Sequence, residues 1–178
     1  MIGVLVSGNG TNLQALLDAG LPVVAVASNR RDAPALERAH ELATESFELG
    51  DYADRTERDT AMADWLEQYG VRIVVLAGYM HLLTSAFLDR FPDAVVNVHP
   101  SLLPDFPGAH AVEDQLAAGV AETGATVHLV DEGIDSGPIL AQERVAVLDD
   151  DTAETLHARI KEIEHRLLPR VVGELCAR

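Results

Sequence analysis

Apolar residues recur along the chain in two alternating rhythms. Continuous or near-continuous apolar runs at Ile2–Val6, Val23–Ala27, Val71–Ala77 and Ala94–Val98 read as buried strands, Val71–Ala77 as one covered on both faces. Helix-spaced segments alternate with them: Asn12–Ala19, closed by Gly20; Ala33–Ala43, with Leu36 and Ala39–His40 on one face; Asp54–Tyr69, carrying Met62, Trp65 and Leu66 and ended by Gly70; Ser85–Arg90; and Ala111–Ala118, stopped by Gly119. This alternation predicts an α/β fold with helices on both faces of a mostly parallel sheet. After Gly124 the rhythm changes. Ala125–Val130 and Ile139–Val147 read as strands with only Asp131–Pro138 between them, which predicts an antiparallel pair at one edge. Thr152–Glu174 reads as a long terminal helix with an apolar stripe of Leu156, Ile160, Ile163 and Leu167. No repeat, low-complexity stretch or linker interrupts the pattern, so one domain over residues 1–178 is expected.

With 178 residues, 48% of them hydrophobic, the chain is long enough to bury a full core. No apolar run approaches the roughly 20 residues of a membrane helix. The chain enters its first strand at once, without a charged leader, so no membrane partner and a cytoplasmic location are expected. The single cysteine, Cys176, fits a reducing compartment. A net charge of −16 argues against nucleic acid as a partner. It leaves small anions open, because backbone N–H groups and one cation bind phosphate locally; Lys161 is the only lysine. No metal is expected: His99 and His110 lack partners at ligand spacing, and Cys176 stands alone. His40, His81 and His157 are unremarkable by spacing.

Three segments carry candidate chemistry. In Asn97-Val98-His99-Pro100-Ser101-Leu102-Leu103-Pro104, Asn97 and His99 are two apart on a strand and project from one face at its C-terminal end, where ligands sit in open parallel sheets. An amide beside an imidazole can hold an oxyanion and move a proton; a histidine after a strand can equally serve structure alone. Ser7-Gly8-Asn9-Gly10-Thr11-Asn12 joins the first strand to the first helix, either as a phosphate site or as a tight turn with a polar cap. A dinucleotide fingerprint would need a third glycine where Leu13 stands, and no acidic residue follows the second strand, although Arg30 leaves an NADP reading open. The third segment, Val130–Pro138, is acidic and glycine-rich: a solvated turn, or a loop that brings Asp135 to His99 and favours a charged imidazole. His128 is either a second polar group of that site or a satisfied sheet histidine. Lys161 and Glu164 border the terminal helix's apolar stripe, where spacing favours a surface role.

Taken together, Ser7–Ala15, Leu76–Met80, Asn97–Pro104 and Asp135–Pro138 resemble the glycinamide ribonucleotide formyltransferases, within the broader group of folate-dependent formyltransferases, over nearly the whole chain. The resemblance implies a single-domain, three-layer Rossmann-like formyltransferase fold, with the N-terminal half binding phosphate and ribonucleotide and the C-terminal half binding folate and catalysing. It implies 10-formyltetrahydrofolate as co-substrate, glycinamide ribonucleotide as acceptor, and a monomer or homodimer. Gly10, Thr11 and Asn12 would bind phosphate, with Lys161 and Glu164 reaching phosphate and ribose. Arg55, Met80, His81, Leu82 and Leu83 would line the folate site, with Asp131, Glu132, Gly133, Ile134 and Asp135 as its other wall and Asn97 between them. Asn97, His99 and Asp135 would be catalytic, with His128 as support. The chain departs from the pattern at His81, where relatives often carry arginine or lysine, and at the short Thr44–Leu49 region, where the third strand would be reduced. The alternatives are another folate-dependent formyltransferase or a formyltetrahydrofolate hydrolase.

Overall fold

Five consecutive buried residues, Ile2–Val6, form β1, an interior strand of a seven-stranded sheet. In this computed structural model, which describes residues 1–177, helices alternate with the strands. β1 leads to α1 (Thr11–Asp18), β2 (Val23–Ser28), α2 (Ala35–Arg38), β3 (Ala43–Ser46) and a single 3₁₀ turn, Leu49–Asp51. Then come α3 (Arg55–Gln68), β4 (Ile73–Leu76), α4 (Ser85–Leu88), β5 (Val95–His99) and α5 (Ala111–Ala118). The chain closes with β6 (Glu122–Leu129), β7 (Ile139–Ala146) and α6 (Ala153–Cys176). The sheet order is β3-β2-β1-β4-β5-β6-β7. β1 to β5 pair in parallel, and β6 and β7 add an antiparallel edge.

Period-two alternation along β1 divides the core between the two faces. Ile2, Val4 and Val6 meet Leu13 and Leu16 of α1 and the stripe of α6. Leu5 faces the other way, toward Met62, Ala63 and Leu66 of α3 and Phe87 of α4. α6 starts in a reciprocal Thr152–Thr155 capping box.

The expected helix over Ala33–Ala43 is corrected. Only Ala35–Arg38 is helical, and Ala43 already belongs to β3. The apolar spacing is real, since Ala35 and Ala39 are buried, but it supports only about one turn before the chain returns to the sheet. β3 is held by its backbone ladder to β2, Ala25↔Ala43 through Ser28↔Ser46. Lying at the edge and partly exposed, it has no apolar run by which to be read. Elsewhere the boundaries move by a few residues. The antiparallel partner extends back to Glu122, and β5 runs through His99, so His99 is itself a strand residue.

The sheet reverses its winding between β1 and β4, and loops leaving the C-terminal ends of such strands flank a crevice. Here those loops begin at Ser7 and Ala77, and β5 delivers Asn97 and His99 alongside.

Candidate active site

A cavity of about 560 Å³ lies over this crevice. Gly10, Thr11, Asn12, His157, Lys161 and Glu164 line one end. Asn97, His99, His128 and Asp135 line its middle, and Met80–Leu83 faces Val130–Ile134 at the other end.

At the first end, β1 feeds α1 through Gly10, whose φ of 71° is left-handed. No side chain caps α1, and no acidic residue stands in its first turn. Thr11 and Asn12 lie inside the helix, so the alternative of a side-chain cap is not what this turn provides. Its first-turn N–H groups and positive dipole end face the cavity instead. A Cβ at Gly10 would sit 2.6 Å from Ala35 Cβ, so α1 and α2 approach too closely for any other residue. Gly10→Ala is therefore expected to destabilise by about 2 kcal/mol or more, from the left-handed backbone and the clash; a urea melt measures it.

Glu164 is 5% exposed and accepts a hydrogen bond from Asn12 Nδ2 at 2.9 Å. Burial holds its carboxyl above the ordinary range, against the lowering pull of Asn12 and Lys161. The surface reading of this residue is thus corrected: α1 packs over α6, and spacing within one helix does not reveal that. His157 lies one turn before Lys161 on the same wall. Its imidazole is shifted down by burial and by Lys161, with Glu113 opposing.

In the middle, Asp135 gathers four donors or polar neighbours. Its Oδ2 accepts from the Gly108 N–H at 2.8 Å and lies 3.3 Å from His99 Nδ1. Its Oδ1 lies 3.4 Å from Asn97 Nδ2 and 3.5 Å from His128 Nε2. Burial raises the carboxyl, but His128, Gly108 and His99 outweigh it and hold Asp135 below the ordinary carboxylate range. His99 Nε2 sits 2.8 Å from the Phe106 carbonyl. Both ring nitrogens of His99 thus face oxygens that only accept. His128, paired with Asn97 across the antiparallel ladder, donates Nδ1–H to the Leu129 carbonyl at 2.8 Å. Its Nε2 lies 3.2 Å from the Asn97 amide nitrogen and 3.5 Å from Asp135 Oδ1, at the centre of the cluster.

Phe106 and Asp135, the two acceptors on either side of His99, have φ of 52° and 51°. A left-handed phenylalanine is strained, and such strain persists where surroundings over-determine it. Here Ser101 Oγ donates to the Asp105 carbonyl at 2.6 Å, and Thr126 Oγ1 donates to the Ser101 carbonyl at 2.7 Å. Ser101 and Thr126 are fully buried; neither had a sequence signal beyond its place in a motif or strand.

At the far end Met80, Leu82 and Ile134 are exposed apolar side chains around the mouth, while Leu83 is buried. Arg55 opens α3, is exposed, and does not line the cavity. The neighbouring Arg58 and Asp59, unremarked in the sequence, are fully buried behind the Met80–Leu83 loop. Among the described residues, no group of three or more His, Cys, Asp or Glu could hold a metal, and no helix is long and apolar enough to cross a membrane.

A doubly wound sheet thus sets an uncapped helix start beside an amide–imidazole–carboxylate cluster within one cavity. The formyl transferase family model matches residues 1–172, and the chain belongs to that family. It is 48% identical to the phosphoribosylglycinamide formyltransferase of Mycobacterium tuberculosis, over 97% of this chain and 83% of that protein. It is 42% identical to the trifunctional purine biosynthetic protein adenosine-3 of Gallus gallus, over 94% of this chain and 18% of that much longer protein. The crystal structure of phosphoribosylglycinamide formyltransferase from Streptococcus pneumoniae superposes with a TM-score of 0.94 at 42% identity, covering 98% of this chain and 97% of that one.

Proposed function

We propose that this chain transfers the formyl group of 10-formyltetrahydrofolate to the amine of glycinamide ribonucleotide, giving N-formylglycinamide ribonucleotide and tetrahydrofolate in purine synthesis. The observation that carries the reading is that one cavity holds the uncapped start of α1, the Asn97–His99–Asp135 cluster and an apolar mouth. The division of labour runs across the cavity, with Gly10, Thr11, Asn12, Lys161 and Glu164 at the ribonucleotide end. Met80–Leu83 and Asp131–Asp135 form the folate end. The chain acts as one catalytic unit, since each end draws on both halves of the sequence.

The anionic phosphate suits the free N–H groups and dipole of α1, with Lys161 as its cation. Glu164 accepts from a ribose hydroxyl. The pterin end suits the Met80–Leu83 loop, because the backbone groups of His81, Leu82 and Leu83 make no hydrogen bond within the described chain. Met80, Leu82 and Ile134 cover the apolar body of the folate.

Holding both substrates in one cavity makes the attack effectively unimolecular. The ribonucleotide amine adds to the formyl carbon, and the carbonyl oxygen becomes an oxyanion. Asn97 and His99 supply N–H donors to it; these are the donors that converge on the Asp135 carboxylate in this structure. The bond to folate N10 then breaks. The amine's proton leaves and N10 gains one, with Asp135 keeping the imidazole protonated and ordering the transfer. No covalent enzyme intermediate is needed.

Two rivals remain distinguishable: hydrolysis of the formyl folate, and transfer to another amine. Formyl transfer assayed with glycinamide ribonucleotide, initiator aminoacyl-tRNA, a nucleotide-linked amino sugar and water separates them. Turnover is expected with the ribonucleotide alone; equal folate turnover without it contradicts the reading.

Glu164 allows a further prediction. Its folded carboxyl pKa is raised, so its contribution to stability is present below the ordinary carboxylate value and lost as pH rises through the raised one. Glu164→Gln is expected to gain about 1 kcal/mol at neutral pH, a gain that fades toward about pH 4. The same change is expected to raise the ribonucleotide KM about tenfold by removing a charged acceptor. Thermal melts at two pH values and steady-state kinetics check both halves.

A further inference from the structure

Behind the folate-side loop runs a chain of polar contacts that formyl transfer itself does not use. Arg58 and Asp59 of α3 are both fully buried. Arg58 donates Nε–H and Nη2–H to Asp59 Oδ1 at 2.9 and 2.6 Å. Asp59 Oδ2 accepts from the N–H and Oγ1–H of Thr84, at 2.7 and 2.8 Å, which fastens the loop's far end. The near end is fastened by the Met80 N–H, donated to Ser7 Oγ at 2.9 Å. Between them the His81 ring turns inward. Its Nδ1 accepts from Arg58 Nη1 at 2.6 Å, and its Nε2 lies 3.2 Å from the Asn29 amide.

We propose that His81 is a positioning residue: a neutral imidazole that pins the Met80–Leu83 loop to buried Arg58 and Asn29, so that the loop keeps the shape that receives the folate co-substrate until a proton on the ring releases it. The inference rests on the activity proposed above. It deepens that reading by assigning the His81 side chain to holding the loop from behind.

The tautomer follows from chemistry. Arginine only donates and stays charged at every accessible pH, so Nδ1 must accept and the ring proton sits on Nε2. As placed, Asn29 turns Nδ2 toward the ring and its Oδ1 accepts from Ser7 Oγ at 2.6 Å; a ring proton on Nε2 calls for the reverse orientation of this amide, with Oδ1 accepting from His81 and Nδ2 donating to Ser7 Oγ. A second ring proton would put two N–H groups and two positive charges head to head across 2.6 Å. Arg58, fully buried, has no water to turn to. The groups facing the ring agree. Burial lowers the His81 pKa, Arg58 and Arg55 of α3 lower it further, Asp59 alone opposes, and Tyr79 packs edge-on at 5.9 Å. Because the folded value is depressed, the pin is fully present above the ordinary histidine range and is lost as pH falls through the lowered value.

The test follows the KM of each substrate from about pH 7.5 to about pH 5 in wild type, His81→Gln and His81→Leu. Glutamine can accept from Arg58 and donate to Asn29 without titrating. In wild type the folate KM is expected to rise about tenfold on acidification, as for a lost hydrogen bond to a charged group. His81→Leu is expected to show that loss of folate affinity at every pH, with the ribonucleotide KM unchanged within about twofold. His81→Gln restores the loop and flattens the folate pH profile. An unchanged folate KM in His81→Leu, or the same acid response in wild type and His81→Gln, overturns the proposal. Hydrogen exchange at the Met80 and Thr84 amides reads the loop without turnover. Faster exchange on acidification is expected in wild type and not in His81→Gln, after correction for intrinsic rates. Identical behaviour of the two proteins contradicts the pin. Wild-type protein that shows this exchange pattern but no ribonucleotide-dependent turnover would refute the activity and leave the pin standing.

Discussion

His99→Ala is expected to lower kcat about a thousandfold, with the KM of either substrate changed by no more than about threefold. The magnitude follows from what the ring does. On the proposed mechanism it would contribute one of two N–H donors to the developing oxyanion, with Asp135 3.3 Å away to hold the ring in place. Both effects arise in the transition state, so the loss falls on kcat rather than on ground-state binding. Asp135→Asn keeps the shape and removes the charge. It should cost about a hundredfold in kcat, because Asn97, His99, His128 and the Gly108 N–H all turn toward this carboxylate. The two changes act on one unit, so the double variant should be little worse than His99→Ala. Steady-state kinetics of the three proteins checks this; near-wild-type turnover in either single variant removes these residues from catalysis.

The largest effect on stability is expected at Asp59. Its only charged partner by hydrogen bonding among the described residues is Arg58, and neither side chain is exposed. Asp59→Ala leaves a buried guanidinium uncompensated and frees both bonds to Thr84, a loss of about 3–5 kcal/mol. For a chain of this size that corresponds to a Tm lower by about 10 °C. The double replacement Arg58→Met, Asp59→Leu removes the charge with its partner, and it should recover much of that stability. It should not recover folate affinity, because a methionine side chain has no N–H to donate to the His81 ring. Thermal melts of the single and double variants, with folate KM measured on the latter, separate what the pair does for the fold from what it does for the loop.

The residues whose roles were legible in the sequence are those governed by local periodicity. Two-residue spacing placed Asn97 and His99 on one face of a strand end, and the structure brings both to Asp135. Glycine spacing marked the turn before α1, and no side chain caps that helix start in the structure. What local pattern could not reach is burial decided by distant packing. Glu164 read as a surface residue until α1 covered it from across 152 residues of sequence. Arg58 and Asp59 drew no reading beyond their place in the Asp54–Tyr69 helix, yet both are fully buried and Asp59 accepts from Thr84 in the loop that follows β4. β3 was legible only through the resemblance, as a reduced third strand in the Thr44–Leu49 region, because its four residues are held by backbone pairing rather than by an apolar face. His157 and His81 carried no spacing signal: His157 lines a cavity walled mostly by other segments, and His81 meets Arg58 of α3.

The central claim is that both substrates meet in one cavity and the formyl group passes directly between them. A single-turnover experiment tests it most directly, with formyl-labelled 10-formyltetrahydrofolate, excess protein and glycinamide ribonucleotide, quenched over time. The account predicts one labelled formylglycinamide ribonucleotide for each tetrahydrofolate released, no label on the protein at any time, and no folate turnover when the ribonucleotide is omitted. Label accumulating on the protein, or formate released at the same rate without the acceptor, would contradict it.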